Sequence, residues 1–326
     1  MMLRSGRRGR IACILLLLIG LDVASPAPVQ AQADVAGSEP ISPVPALPAL
    51  DPRRVALGEQ LFKDRRLSRR ETTSCSSCHD IQTNGASANA HDAAQDGQPL
   101  PLNTPTVFNA ALSFRLGWAG SHRTLEESTD QILRNPAIMA SSPEEAVQRL
   151  RTDPEKVRQF RDAYGRDPDA AGLLDAIATY LRSLLTPGSR FDRWLAGDAG
   201  AITRQELAGY RMFKSFGCVS CHQGVNVGGN LFQRHDIFHP LGSPEPQVLR
   251  VPSLRNVTAT APYFHDGSAA TLPEAVKAMS RAQLDRVLTD AETAGIIAFL
   301  GTLTGTYRDR AVEPSSAASG DAGKPP

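Results

Sequence analysis

Two short runs hold the residues best suited to chemistry: C-S-S-C-H at 75–79 and C-V-S-C-H at 218–222. Each is C-x-x-C-H, the attachment signal of a c-type haem. Two thiols three residues apart reach the two vinyl groups of one haem and bond to it covalently. The histidine that follows then lies beneath the iron as its proximal ligand. A redox dithiol would not need that histidine, least of all twice. A zinc ribbon pairs two C-x-x-C units across a much shorter step than the one from Cys78 to Cys218. The spacing therefore predicts two c-type haems, held by Cys75, Cys78, Cys218 and Cys221, with His79 and His222 on the irons.

Each iron has a second axial position. The chain offers Met139, Met212, Met279 and several histidines for it. Met279 has the best claim. Thr271-Leu272-Pro273-Glu274 opens a helix that would carry it well past the second motif, on the face of Ala275 and Val276. His/Met ligation raises the potential of a haem and closes its iron to substrate. Met212 stands just before Cys218 and reads as core. The first haem has no equal candidate. His91 and Gln95 lie in a Gly/Ala/Asp/Asn-rich stretch, 84–98, that reads as a loop, and His122, His235 and His239 have no stronger claim. One closed haem and one open or openable haem are expected.

The elements that must position these groups are helical. Asp51-Pro52 starts a helix with proline at its first position. Ser142-Pro143-Glu144-Glu145 and Thr289-Asp290-Ala291-Glu292 are further helix starts, and Leu173, Leu174, Ile177, Tyr180, Leu181, Leu184 and Leu185 recur at helical spacing. No long alternating strand pattern appears, so the fold class is mainly α. G-E-Q-L-F-K (58–63) precedes the first haem motif and G-Y-R-M-F-K (209–214) the second, which predicts two cytochrome c-like helical domains, 51–198 and 199–308. Residues 34–50, rich in Pro and Ala, read as a flexible leader, and 309–326 as a disordered tail.

Residues 1–33 read as a secretory signal peptide. Arg4, Arg7, Arg8 and Arg10 precede the apolar run Ile11 to Leu21, and Ala31-Gln32-Ala33 forms a cleavage site. The run is short for a membrane span, so no stable membrane anchor is expected after cleavage, and the expected location is the periplasm. Cys13 leaves with the signal. A net charge of +1 over 326 residues implies no broad basic surface for nucleic acid.

From about Leu57 to Gly305 the chain resembles the bacterial dihaem cytochrome c peroxidase family, which includes MauG. The resemblance rests on L-G-E-Q-L-F-K-D-R-R-L-S, N-T-P-T-V-F-N and L-G-W-A-G in the first half. In the second it rests on F-G-C-V-S-C-H-Q-G, V-P-S-L-R-N-V, T-A-P-Y-F-H-D-G-S, T-L-P-E-A-V-K-A-M and A-F-L-G-T-L-T-G. It implies a low-potential, peroxide-reacting haem on His79 and a high-potential, electron-accepting haem on His222 and Met279. MauG has tyrosine at the Met279 position, so Met279 favours the peroxidase branch. Trp118 would relay electrons between the haems, and one calcium ion would take Asn103 and the backbone carbonyls of Thr260 and Pro262. Three departures fall at the reactive haem, the first being Trp118-Ala119-Gly120-Ser121 where the family has W-D-G-R. The family's catalytic glutamate is Ile138 here, and its switchable distal histidine falls on Gln95, with His91 close by. Isoleucine cannot carry the proton that heterolytic peroxide cleavage requires. Glu126, Glu127, His91 and His122 are the nearest substitutes in sequence.

Three functions follow from the resemblance. The first is reduction of hydrogen peroxide with electrons from a small cytochrome c or cupredoxin. The second is MauG-like, peroxide-dependent oxidation of a partner protein. The third is electron carriage without catalysis. Homodimers are frequent in the family, so a homodimer is a further expectation.

Overall fold

The computed structural model describes residues 39–315. The signal peptide and the end of the tail lie outside the described residues. No helix among the described residues is long and apolar enough to cross a membrane.

The helices are α1 (Pro52–Phe62), α2 (Leu125–Arg134), α3 (Pro143–Leu150), α4 (Pro154–Tyr164), α5 (Ala170–Ser183), α6 (Arg190–Leu195), α7 (Arg204–Ser215), α8 (Leu272–Leu284) and α9 (Asp290–Gly301). Two small antiparallel ribbons complete the described fold, β1 (Phe232–Arg234) with β2 (Val248–Arg250) and β3 (Thr306–Tyr307) with β4 (Arg310–Ala311). The fold is mainly helical, as the periodicity predicts. The anticipated starts are present: Asp51 caps α1 through Arg53 N, Ser142 caps α3 through Glu145 N, and Thr271 and Thr289 open α8 and α9 with full capping boxes. Side-chain oxygens there satisfy amides that the helix leaves unpaired.

The internal repeat has a packing reason. A Cβ built on Gly58 would lie 2.0 Å from Ala176 O, so glycine lets α1 cross α5 at backbone contact; a Cβ on Gly209 would lie 1.9 Å from Gly295 O, where α7 crosses α9. Four residues on, the repeat places Phe62 6.3 Å from the His79 ring and Phe213 6.4 Å from the His222 ring. Each crossing thus delivers an aromatic wall to the histidine of its own haem motif.

Two apolar cores result. One gathers Leu57, Leu61, Phe62, Phe160, Leu173 and Tyr180; the other gathers Phe191, Tyr210, Phe213, Ile296, Phe299 and Leu300. They meet across a polar seam whose bonds mirror each other. Asn84 Nδ2 donates to Ala259 O of the second half at 2.6 Å, and Asn226 Nδ2 donates to Asn109 O of the first at 3.2 Å. Asn109 and Asn256, both at positive φ, converge on Thr186 Oγ1 at 2.7 and 3.0 Å. Every one of these groups is buried or half-buried, and unpaired amides there would cost about 1–3 kcal/mol each.

Packing departs from the expected segmentation in three places. Helix α6 belongs to the second core, where Phe191 stacks on Trp194 and meets Tyr210 and Phe299 edge-on. Helix α6 thus packs with the second core although it precedes the expected boundary at 198. The segment expected as a flexible leader is docked from Glu39 onward. Ile41 and Val44 are buried, Glu39 accepts hydrogen bonds from Tyr210 Oη at 2.5 Å and Lys214 Nζ at 2.9 Å, and Ser42 O accepts one from Arg255. The start of the expected disordered tail is ordered as well. Val312 is buried in the first core, and Arg308 pairs with Glu59 on α1. Each terminal segment thus clasps the half to which it does not belong in sequence. Composition missed this because a few buried apolar residues suffice to anchor a Pro-rich strand.

Candidate haem sites and the seam between them

Both C-x-x-C-H motifs form a single 3₁₀ turn, Cys75–Ser77 and Cys218–Ser220, with the histidine amide donating back to the first cysteine's carbonyl at 3.0 Å in each. All four thiols are free of disulfides. Burial pushes Cys75 and Cys218 up to about 11 and Cys78 up to about 12. Such thiols lack the low pKa of an exchanging dithiol. The histidines are matched too. Nδ1 of His79 lies 3.2 Å from Gly85 O, and Nδ1 of His222 lies 3.3 Å from Val227 O. Each carbonyl selects the tautomer with the proton on Nδ1, which frees Nε2 as a metal ligand. Burial lowers the pKa of both, that of His222 to about 4, which keeps the imidazoles neutral. Donor type, tautomer and thiol state all fit a covalent haem in each half.

A large, mostly apolar cavity opens at the second motif. Its wall includes Cys218, Cys221, His222, Phe213, Met279 and Leu300. Met279 on α8 and His222 therefore face one space, as a pair of axial ligands must. Met212, whose methyl packs at Gly295, is core as expected. Met139 is buried in the first core.

The same cavity reaches the seam, where Trp118, Asn103, Thr260 and Pro262 line it. Trp118 Nε1 donates to Asn103 O at 2.8 Å, and Trp118 O accepts from Arg250 N of the second half at 2.8 Å. Trp118 is thereby bonded to the first half through its indole and to the second through its backbone, with the indole 6.3 Å from the His265 ring. Asn103 spends its Nδ2 on Asn89 O and Ala90 O, at 3.0 and 3.2 Å. That leaves Oδ1 as an acceptor. No described residue donates a hydrogen bond to the Thr260 or Pro262 carbonyl. Neutral oxygens of this kind are what a hard cation that keeps waters takes.

At the first haem motif two of the departures from the family pattern touch each other. Gln95 N donates to Ala137 O at 2.8 Å, and Gln95 Nε2 donates to Ile138 O at 2.5 Å and to Thr73 Oγ1 at 3.2 Å. Its Oε1 is buried with no partner. Arg70 fastens the same residue from outside through Gln95 O at 2.6 Å. The sequence offers His91 and Gln95 together as distal candidates. The structure brings Gln95 to Ile138 and leaves His91 exposed, its Nδ1 bonded to Leu100 O at 2.7 Å. The carboxylates nearest in sequence have other work. Glu126 pairs with Arg182 at 2.5 Å, and Glu127 accepts from Arg123 N at 2.7 Å at the start of α2.

The loop that carries Gln95 is pinned from within. Asp92 is buried, and its carboxylate accepts from Ser87 Oγ at 2.7 Å, Asn89 Nδ2 at 3.1 Å and Thr104 Oγ1 at 2.6 Å. Burial works to raise its pKa, but these donors prevail and lower it. Sequence reading called 84–98 a loop and did not single out Asp92. The signal was local, an acid amid Ser, Asn and Thr donors, but only closure of the loop brings Thr104 to it.

Known proteins agree with this geometry. Residues 52–200 match the family model for di-haem cytochrome c peroxidase, and residues 207–304 match that for cytochrome c. The chain is 38% identical to the cytochrome c551 peroxidase of Nitrosomonas europaea over 84% of this chain and 87% of that one. It is 31% identical to the methylamine utilization protein MauG of Methylorubrum extorquens, over 71% and 69%. Its fold is similar to the crystal structure of a MauG-like protein associated with microbial copper homeostasis, with a TM-score of 0.70 and 27% identity over 82% of this chain and 93% of that one. With two c-type haem motifs, each presented on its own helical crossing, and relatives that align along most of its length, the chain belongs to the di-haem cytochrome c peroxidase family, an oxidoreductase family of two-haem proteins.

Proposed function

We propose that the chain is exported to the periplasm and reduces hydrogen peroxide with electrons from a small cytochrome c or cupredoxin. The observation that carries this reading is the position of Trp118. It lies on the second haem's cavity and is hydrogen-bonded to both halves, where an electron passing from the second haem to the first would need an aromatic stepping point. When bound, the haems supply an iron that takes up peroxide and an iron that accepts electrons. His79 and His222 would hold the two irons from the proximal side. Met279 would close the second against peroxide. Asn103, Thr260 and Pro262 would hold a calcium ion that stiffens the seam around Trp118.

On the first haem's distal side, Gln95 takes the place of a switchable ligand. Its amide is fixed through Nε2, so Oε1 can accept a hydrogen bond from peroxide and orient it. An amide oxygen does not take up a proton at neutral pH, and Ile138 offers none. Proton delivery then falls to solvent, and turnover should be slow for a peroxidase. This same feature favours a second reading, MauG-like oxidation of a partner protein, in which slow peroxide chemistry is tolerable because the substrate stays docked.

Steady-state oxidation of a reduced small cytochrome c by peroxide, with haem-loaded protein and added calcium, tests the proposal. Turnover that falls when Trp118 is replaced by phenylalanine supports it. No turnover, with peroxide still shifting the haem spectra, would transfer the assignment to the second reading. Spectra indifferent to peroxide would leave an electron carrier.

A further inference from the structure

The cavity beside His222 and Met279 has a polar corner that the axial ligands do not explain. Arg250, the last residue of β2, is 8% exposed. Its Nε donates to Gly117 O at 3.2 Å, yet no carboxylate among the described residues forms an ion pair with it. Burial pushes its pKa down and no acid raises it. His235, directly after β1, is 7% exposed, and neither ring nitrogen has a hydrogen-bond partner. Both residues line the cavity.

Most of the acids and bases around them have partners. Arg234 Nη2 lies 3.7 Å from Asp236 Oδ1, an ion-pair contact beyond hydrogen-bond reach, and that oxygen is buried with no hydrogen-bond donor. Asp266 accepts from the amides of Ser243 and Ser268. His265, whose ring centre lies 4.8 Å from that of His235, has its Nε2 3.0 Å from Ser243 O. A buried guanidinium without a counter-charge and a buried imidazole without a hydrogen-bond partner both destabilise the fold. An anionic group that enters this cavity would give each of them a partner.

We propose that Arg250 and His235 clamp a carboxylate, the carboxylate edge of the second haem, and act as positioning residues that raise its potential and tie that edge to the Trp118 loop. The tie is direct, because Arg250 donates to Trp118 O through its amide and to Gly117 O through its guanidinium. The inference rests on the second haem being seated between His222 and Met279. Donors on a haem carboxylate withdraw negative charge from the iron and favour its reduced form, a recognised lever on potential.

The test is an optical redox titration of the full, haem-loaded chain with His235→Phe and His235→Gln. His235→Phe is expected to lower the second haem's midpoint by about tenfold in the reduction equilibrium, about 59 mV for one electron, while His235→Gln, which keeps a donor, stays near wild type. Haem lost from His235→Phe and regained in His235→Gln would also support the clamp. An unchanged midpoint in a fully loaded His235→Phe would overturn it. The wild-type midpoint is also followed against added acetate at constant ionic strength. Independence from acetate is expected. A midpoint that tracks acetate would show that the corner takes a free anion, and would overturn the assignment to the haem. Absence of a low-spin His/Met spectrum in the wild type would instead sink the seating, and the clamp with it.

Discussion

The pair Arg255–Asp192 offers a sharp test of how the second haem motif is held. Arg255 Nη1 lies 2.8 Å from an Asp192 carboxylate oxygen, with side chains only 1% and 6% exposed. The guanidinium also donates to Val225 O and Ser42 O, each at 2.8 Å, and to Ser189 Oγ at 3.3 Å. It therefore joins α6, the docked leader and the loop between His222 and the Val227 carbonyl that orients it. Replacing Arg255 with leucine leaves the Asp192 charge and the Val225 and Ser42 carbonyls buried without that partner. Breaking a buried pair in this way costs about 3–5 kcal/mol. Removing both charges in Arg255→Leu/Asp192→Leu abolishes the isolated charge, so the double variant should lose less than the two single losses together, with a coupling of about 1–3 kcal/mol. Guanidinium unfolding of the haem-loaded proteins, followed by circular dichroism, gives all four values. The second haem's spectrum should broaden or shift in Arg255→Leu, because the Val225–Val227 loop loses its anchor. A single-variant loss below about 1 kcal/mol, or strict additivity in the cycle, would refute the claim that this pair is a buried, coupled anchor.

Three other outcomes follow. Ile138→Glu, which restores a carboxylate beside Gln95, should raise peroxide turnover by about 10²–10⁴-fold in a steady-state assay, since Gln95 binds the Ile138 backbone and not its side chain. Met279→Leu should abolish the low-spin His/Met spectrum and lower that haem's potential in a redox titration; an unchanged spectrum would remove Met279 from the iron. Asp92 has a folded-state pKa below its ordinary value, so its stabilisation of the 84–98 loop is present above the ordinary carboxylate range and is lost as pH falls through the lowered value. Hydrogen-exchange protection of that loop, taken relative to the intrinsic amide rate at each pH, should fall on acidification in the wild type, and Asp92→Asn should show the lower protection already at neutral pH.

What the sequence alone determined here is chemistry set by short spacing. A C-x-x-C-H run specifies its haem within five residues, because thioether bonds and the proximal histidine are neighbours in the chain. The helix starts at Asp51, Ser142, Thr271 and Thr289 were equally legible, since a capping side chain reaches an amide two or three residues on. The paired G-x-x-x-F-K runs announced two halves, although not that Gly58 and Gly209 serve helix crossings. Tertiary structure decided the rest. It chose Gln95 over His91 as the residue that meets Ile138, placed Trp118 between bonds from both halves, and sent each terminal segment onto the opposite core. These contacts join residues tens to hundreds of positions apart. No period or local motif encodes them; they exist only once two cores have packed and their buried polar groups must find partners.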